Sequence, residues 1–173
     1  MSSLVALSVS IGVLGAIATI LFLKFGLLIW AGFIAWACFF QSGGNTAGLK
    51  STIICNVFGA LMAWVAAVII ISLPYAASLT LPVWAGIVVG LTVLVLCLAA
   101  HVPALSSIPA SVYGYGAVFA YLLQTPDAMS KDKLMSASMA NAFVLVAISM
   151  IVGALFGLAS GKMAGALTAK ATA

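Results

Sequence analysis

Between Lys50 and Asp127 the sequence contains no Asp, Glu, Lys or Arg. A stretch that long without a charge cannot cover a surface facing water. Soluble domains carry about a quarter charged residues, whereas here 5% of the 173 residues are charged and 66% are hydrophobic. Lipid is therefore the solvent for most of the chain. The charges are Lys24, Lys50, Lys131, Lys133, Lys162, Lys170, Asp127 and Asp132, with no Arg and no Glu. The net charge of +4 is scattered, and its one cluster is mixed in sign, so the basic face of a nucleic-acid binder is missing. No nucleic-acid partner is expected.

A bilayer span needs about 20 apolar residues. Six segments reach or approach this length: about Leu4 to Leu23, Phe25 to Phe40, after Lys50 to Leu73, Pro82 to Ala100, Ile108 to Leu123 and Leu134 to Ser160. Gln41-Ser42-Gly43-Gly44-Asn45 reads as a turn, Pro74 as a stop, and Lys162 and Lys170 as part of a small C-terminal tail. No Lys or Arg precedes the first apolar run, so it lacks the n-region of a signal peptide and reads as a retained span. The expected fold is an all-α polytopic membrane domain over 1–173 with about six transmembrane helices. Lysines divide evenly between the two sides, which leaves orientation open.

The segment lengths run long, short, long in each half, which suggests a repeat. Ala35-Trp36-Ala37-Cys38-Phe39-Phe40 aligns with Gly114-Tyr115-Gly116-Ala117-Val118-Phe119, and Asn56-Val57-Phe58 with Asn141-Ala142-Phe143. Three spans per copy force opposite orientations, so the expectation is a 3+3 inverted repeat. Its halves are approximately 1–78 and 79–165, each with a short or broken second helix.

Two stretches carry a family resemblance: Gly26-Leu27-Leu28-Ile29-Trp30-Ala31-Gly32-Phe33 with Gly43-Gly44 and Gly48-Leu49-Lys50, and Ser107-Ile108-Pro109-Ala110-Ser111-Val112-Tyr113-Gly114 with Val118-Phe119-Ala120. The chain resembles the YcdZ-like family of small bacterial inner-membrane proteins, a domain of unknown function. The resemblance implies a multi-pass protein of the bacterial inner (cytoplasmic) membrane and supplies no catalytic residue.

Proton-coupled transporters place ionisable groups inside the membrane. Here only His101 titrates near neutral pH, and it sits at a span end beside Pro103, which argues against proton coupling. The polar groups within the spans are neutral. Asn56 and Asn141 are the strongest, and each either bonds another helix or lines a path for a polar solute. Ser138, Asn141 and Ser149 lie near one helical face. Ser107 and Ser111 flank Pro109, where a helix starting within the membrane would present free N–H groups. Trp36, Tyr113 and Tyr115 are candidate constrictions, and Trp30 fits an interfacial belt.

Gly153, Gly157, Gly161 and Gly165 form a smooth packing ridge, with similar patterns at Gly86/Gly90 and Ser8/Gly12/Ala16. A homo-oligomer is expected from them. Cys38, Cys55 and Cys97 lie in apolar runs without metal-ligand spacing, and neither a metal nor another cofactor is expected. No H-E-x-x-H, Asp pair or Ser–His–Asp set is present, so the chain reads as no enzyme. The expected function is a passive channel or facilitator for a small uncharged polar solute, in the class of urea, a short amide, ammonia or water. The competing reading is a non-transporting scaffold or assembly subunit.

Overall fold

The structure is a computed structural model that describes residues 1–73 and 75–169. Pro74 and Lys170, read above as a helix stop and a tail residue, lie outside the described residues. All regular structure among those residues is helical. Six main helices follow in order: α1 (Ser3–Phe25), α2 (Ile29–Gln41), α3 (Thr46–Ser72), α5 (Leu81–Leu98), α6 (Ile108–Gln124) and α8 (Ala142–Ala169). The short α4 (Ala76–Leu79) precedes α5, and α7 (Lys131–Met135) lies between α6 and α8.

Four of these are long and apolar enough to cross a membrane: α1, α3, α5 with the 3-10 turn that follows it, and α8. The 13 residues of α2 reach roughly 20 Å and the 17 of α6 roughly 25 Å, against a hydrocarbon core of about 30 Å. The expected count of about six spans therefore becomes four full-length helices and two short ones. The second main helix of each half is the shortest of its three.

Helix ends follow local chemistry. α1 stops at Gly26, whose φ of 67° is left-handed. Its N–H turns back to Leu23 O and the Leu27 N–H to Phe22 O, so two last-turn carbonyls are satisfied without water. Asn45 begins α3 by accepting the Gly48 N–H on Oδ1 at 2.9 Å. Asn141 does the same for α8: its Oδ1 accepts the Phe143 N–H at 2.9 Å.

The Asn141 Nδ2 donates to the carbonyls of Leu134 and Ser136, at 2.8 and 2.9 Å. Those bonds hold 136–141 out of helix. The last long helix thus starts at Ala142 rather than near Leu134, and it runs past Lys162 instead of ending at Ser160.

The chain packs as two compact units. The first holds Met1–Ile53 and the described residues from Ser149 onward. Phe22, Trp36 and Ala18 form its core, with Phe156 stacked on Trp36 at 5.8 Å between ring centroids. Polar tips find partners inside it: Trp36 Nε1 donates to Ser160 Oγ at 3.0 Å, Ser10 Oγ to Ser160 O at 2.7 Å, and the Leu28 N–H to Ser149 Oγ at 3.0 Å. The backbones of α2 and α8 meet closely. A Cβ on Gly153 would overlap the Gly32 backbone, and one on Gly157 would lie 2.8 Å from Phe39 Cδ1.

The second unit is Ile54–Ile148. Trp84, Val88, Thr92 and Leu96, four apart on α5, are buried, while Val83, Ile87, Leu91, Leu94 and Leu98 are exposed. That is an amphipathic split between protein and lipid rather than protein and water. Trp84 Nε1 donates to Ile70 O at 3.3 Å, and Trp64 Nε1 to Leu134 O at 2.8 Å, which ties α7 to α3.

The two short helices bury the same positions. With Ile29 placed over Ile108, the buried Ala31, Gly32, Ala35, Trp36, Cys38 and Phe39 fall on the buried Ala110, Ser111, Gly114, Tyr115, Ala117 and Val118. With Gly59-Ala60-Leu61 over Gly153-Ala154-Leu155, the buried Thr52, Cys55, Asn56, Ala63 and Ala66 fall on the buried Val146, Ser149, Met150, Gly157 and Ser160. This register departs from the expected alignment of Asn56 with Asn141. Asn56 lies well inside α3, whereas Asn141 stands just before α8 as Asn45 stands just before α3.

Candidate functional site

Within the second unit, α3 and α6 touch through their backbones. Gly59 sits against the Ser111 carbonyl and Gly114 against the Asn56 carbonyl, and a Cβ at either glycine would overlap those oxygens. Small residues allow this approach, because a side chain on either glycine would hold the helices apart. The close crossing buries two polar side chains, leaving Asn56 1% and Ser111 0% exposed.

Neither finds a partner: Asn56 Oδ1, Asn56 Nδ2 and Ser111 Oγ all lack a hydrogen bond. Each orphaned group of this kind costs about 1–3 kcal/mol. Buried polar groups are nearly always paired, so an exception calls for an explanation.

The other expected site residues behave differently. Asn141 is 5% exposed and bonded at both ends of its amide to backbone. It is a helix cap outside the spans, and it cannot share a polar stripe within α8. Tyr115 is buried with its hydroxyl 2.8 Å from Thr92 Oγ1, and Trp36 is anchored on Ser160 in the first unit. Both aromatic tips are thus engaged within their own units. Ser107 is half-buried and precedes α6 without a side-chain cap, its carbonyl accepting the Ser111 N–H at 3.1 Å. Tyr113 is half-buried on α6.

On the α8 ridge, Gly153 and Gly157 are consumed by contact with α2. A Cβ on Gly161 would lie 3.9 Å from Phe39 and Phe40, and one on Gly165 would have nothing within 4 Å.

Three partners escaped the sequence reading. Thr92 and Ser160 each lie in an apolar helix where a hydroxyl has to find a bond. Trp64 docks α7. A lone polar residue in an apolar run signals such a tie but does not reveal the partner.

Among the described residues, Lys24 lies in the last turn of α1, Lys50 near the start of α3, Asp127, Lys131, Asp132 and Lys133 in or just before α7, and Lys162 in the last third of α8. Among the described residues no three His, Cys, Asp or Glu side chains lie close enough to hold a metal. The crossing therefore offers an amide and a hydroxyl, both neutral, in an apolar surround. The model of a family described as a protein of unknown function, DUF1097, matches residues 8–165. The chain belongs to the DUF1097 family. No curated protein and no solved structure matches it. The match takes in all of α2, α3, α5 and α6, so the crossing of this DUF1097 protein lies inside the family region.

Proposed function

We propose that this DUF1097 membrane protein is a passive channel or facilitator for a small uncharged polar solute of the urea, short-amide, ammonia or water class. The observation that carries the reading is the hydrogen-bond-free burial of Asn56 and Ser111. Unsatisfied groups in a packed interior keep donor and acceptor capacity in reserve, and a polar guest leaving water needs just that. A charged solute would meet no counter-charge at the crossing.

The protein is further proposed to be a 3+3 inverted repeat with halves of about 1–78 and 79–165. The shared buried positions of α2 with α6, and of α3 with α8, support this. A bacterial inner-membrane location and a place among the YcdZ-like proteins are part of the same proposal, as is a role that is not enzymatic. A homo-oligomer would form on α1 or α5, because Gly12, Gly86 and Gly90 have open space around them and Gly153 and Gly157 do not.

The test is swelling of proteoliposomes in urea, acetamide, glycerol and water gradients. Wild-type protein should pass at least one of these solutes faster than empty vesicles, and Asn56→Leu should remove the difference by drying the path. If wild-type vesicles behave as empty ones for the whole panel, the scaffold reading takes its place.

A further inference from the structure

We infer that the α3–α6 crossing binds one small molecule with an adjacent donor and acceptor, a primary amide or a urea, on the side chains of Asn56 and Ser111. The inference rests on the proposed passive path and names the chemistry that path selects. Three atoms lack partners: Nδ2, which donates, Oδ1, which accepts, and Ser111 Oγ, which does both. An amide presents its acceptor and donor side by side in one plane. A guest that meets both ends with nearly straight hydrogen bonds presents the complementary pair, as a primary amide does in a two-bond cycle. Water or ammonia carries its donors and lone pairs on one centre and can reach both ends only through bent hydrogen bonds, which are weaker.

Size is limited as well. Gly59 and Gly114 let the helix backbones touch, so each further heavy atom of a guest pushes α6 further off α3. The site belongs to one half only. In the register shared by the helices, Met150 stands where Asn56 does and Gly32 where Ser111 does, and neither offers a comparable group. The other two asparagines are already committed, Asn45 to the Gly48 N–H and Asn141 to three backbone groups.

That difference supplies the test. The chain has three asparagines, Asn45, Asn56 and Asn141, so asparagine-selective 15N labelling of the full protein in detergent gives three side-chain NH2 pairs. Asn56→Leu identifies the pair of interest. Titrated with acetamide, the Asn56 pair should shift saturably while those of Asn45 and Asn141 stay still and report an intact fold. Glycerol, a solute of hydroxyls alone, should move it little. Ser111→Ala should weaken the apparent acetamide affinity about fivefold, the value of one hydrogen bond.

An Asn56 pair that does not move, or that drifts linearly with the other two, overturns the inference, as does an equal response to glycerol. Saturable acetamide binding in a protein that passes no solute would keep the site and remove the channel. Solute flux with an unmoved Asn56 would do the reverse.

Discussion

Replacing Gly114 with Ala adds one methyl group where α3 and α6 leave no room. The new Cβ would overlap the Asn56 carbonyl oxygen and lie 2.8 Å from its carbon and 2.9 Å from Ala60 N. All three are backbone atoms of a helix, so no rotamer change relieves the contact. Carbon contacts settle near 3.5–4.0 Å, so α6 has to move by on the order of 1 Å.

Overpacking of this kind costs about 1–3 kcal/mol, and the loosening of neighbouring α3–α6 contacts favours the upper end. Against it stands the better helix propensity of Ala, up to about 1 kcal/mol. The net expectation is a loss of about 1–2 kcal/mol. Gly86→Ala and Gly90→Ala make the same chemical change on α5 where nothing lies within 4 Å, so only the propensity gain remains and stability should hold or rise.

Unfolding by sodium dodecyl sulfate titration in mixed micelles, followed by tryptophan fluorescence, measures all three on one scale. A Gly114→Ala protein as stable as Gly90→Ala would refute the backbone contact, and with it the burial of Asn56 and Ser111.

Gly153→Ala should destabilise comparably, because its Cβ would overlap the Gly32 backbone. Gly157→Leu should lower stability within the protomer by driving into Phe39 and Trp36, and an unchanged melting temperature would remove that contact. The two asparagines should separate in the same unfolding assay. Asn56→Leu relieves two unpaired amide ends, and after the cost of fitting a side chain of different shape into the close crossing it should be neutral or stabilising by about 1 kcal/mol, whereas Asn141→Leu loses a cap and two further backbone bonds and should cost about 1–2 kcal/mol or more. Trp64→Phe removes the bond to Leu134 O and should speed amide hydrogen exchange across 131–136, with α1 exchange unchanged.

The composition made the membrane setting legible, because a 5% charge content leaves no way to wet a soluble surface. The ends of α1 near Lys24 and of α2 at Gln41 were legible too, as local signals of charge and turn residues, whereas Gly26, which caps α1, falls inside the second apolar segment when only hydropathy is read. The last helix was not. Leu134–Met139 is apolar enough to continue a helix, and only the Asn141 amide, reaching back to the carbonyls of Leu134 and Ser136, shows why the chain breaks there. The asparagine pairing failed for a related reason. Hydropathy treats Asn56 and Asn141 alike, while their bonds make one an orphan within a helix and the other a cap.

By itself the sequence determined the solvent, the all-helical class and the shortness of the second helix in each half. These follow from hydrophobicity and length, which each segment carries alone. Only the tertiary structure decided which glycines are consumed in packing and which stay open, that Trp36 and Tyr115 end on Ser160 and Thr92, and that Asn56 and Ser111 end on nothing. Every apolar helix presents many faces to its neighbours. The contact that wins is set by backbone approach between residues distant in sequence, Gly59 on Ser111 and Gly153 on Gly32, and no local pattern encodes that pairing.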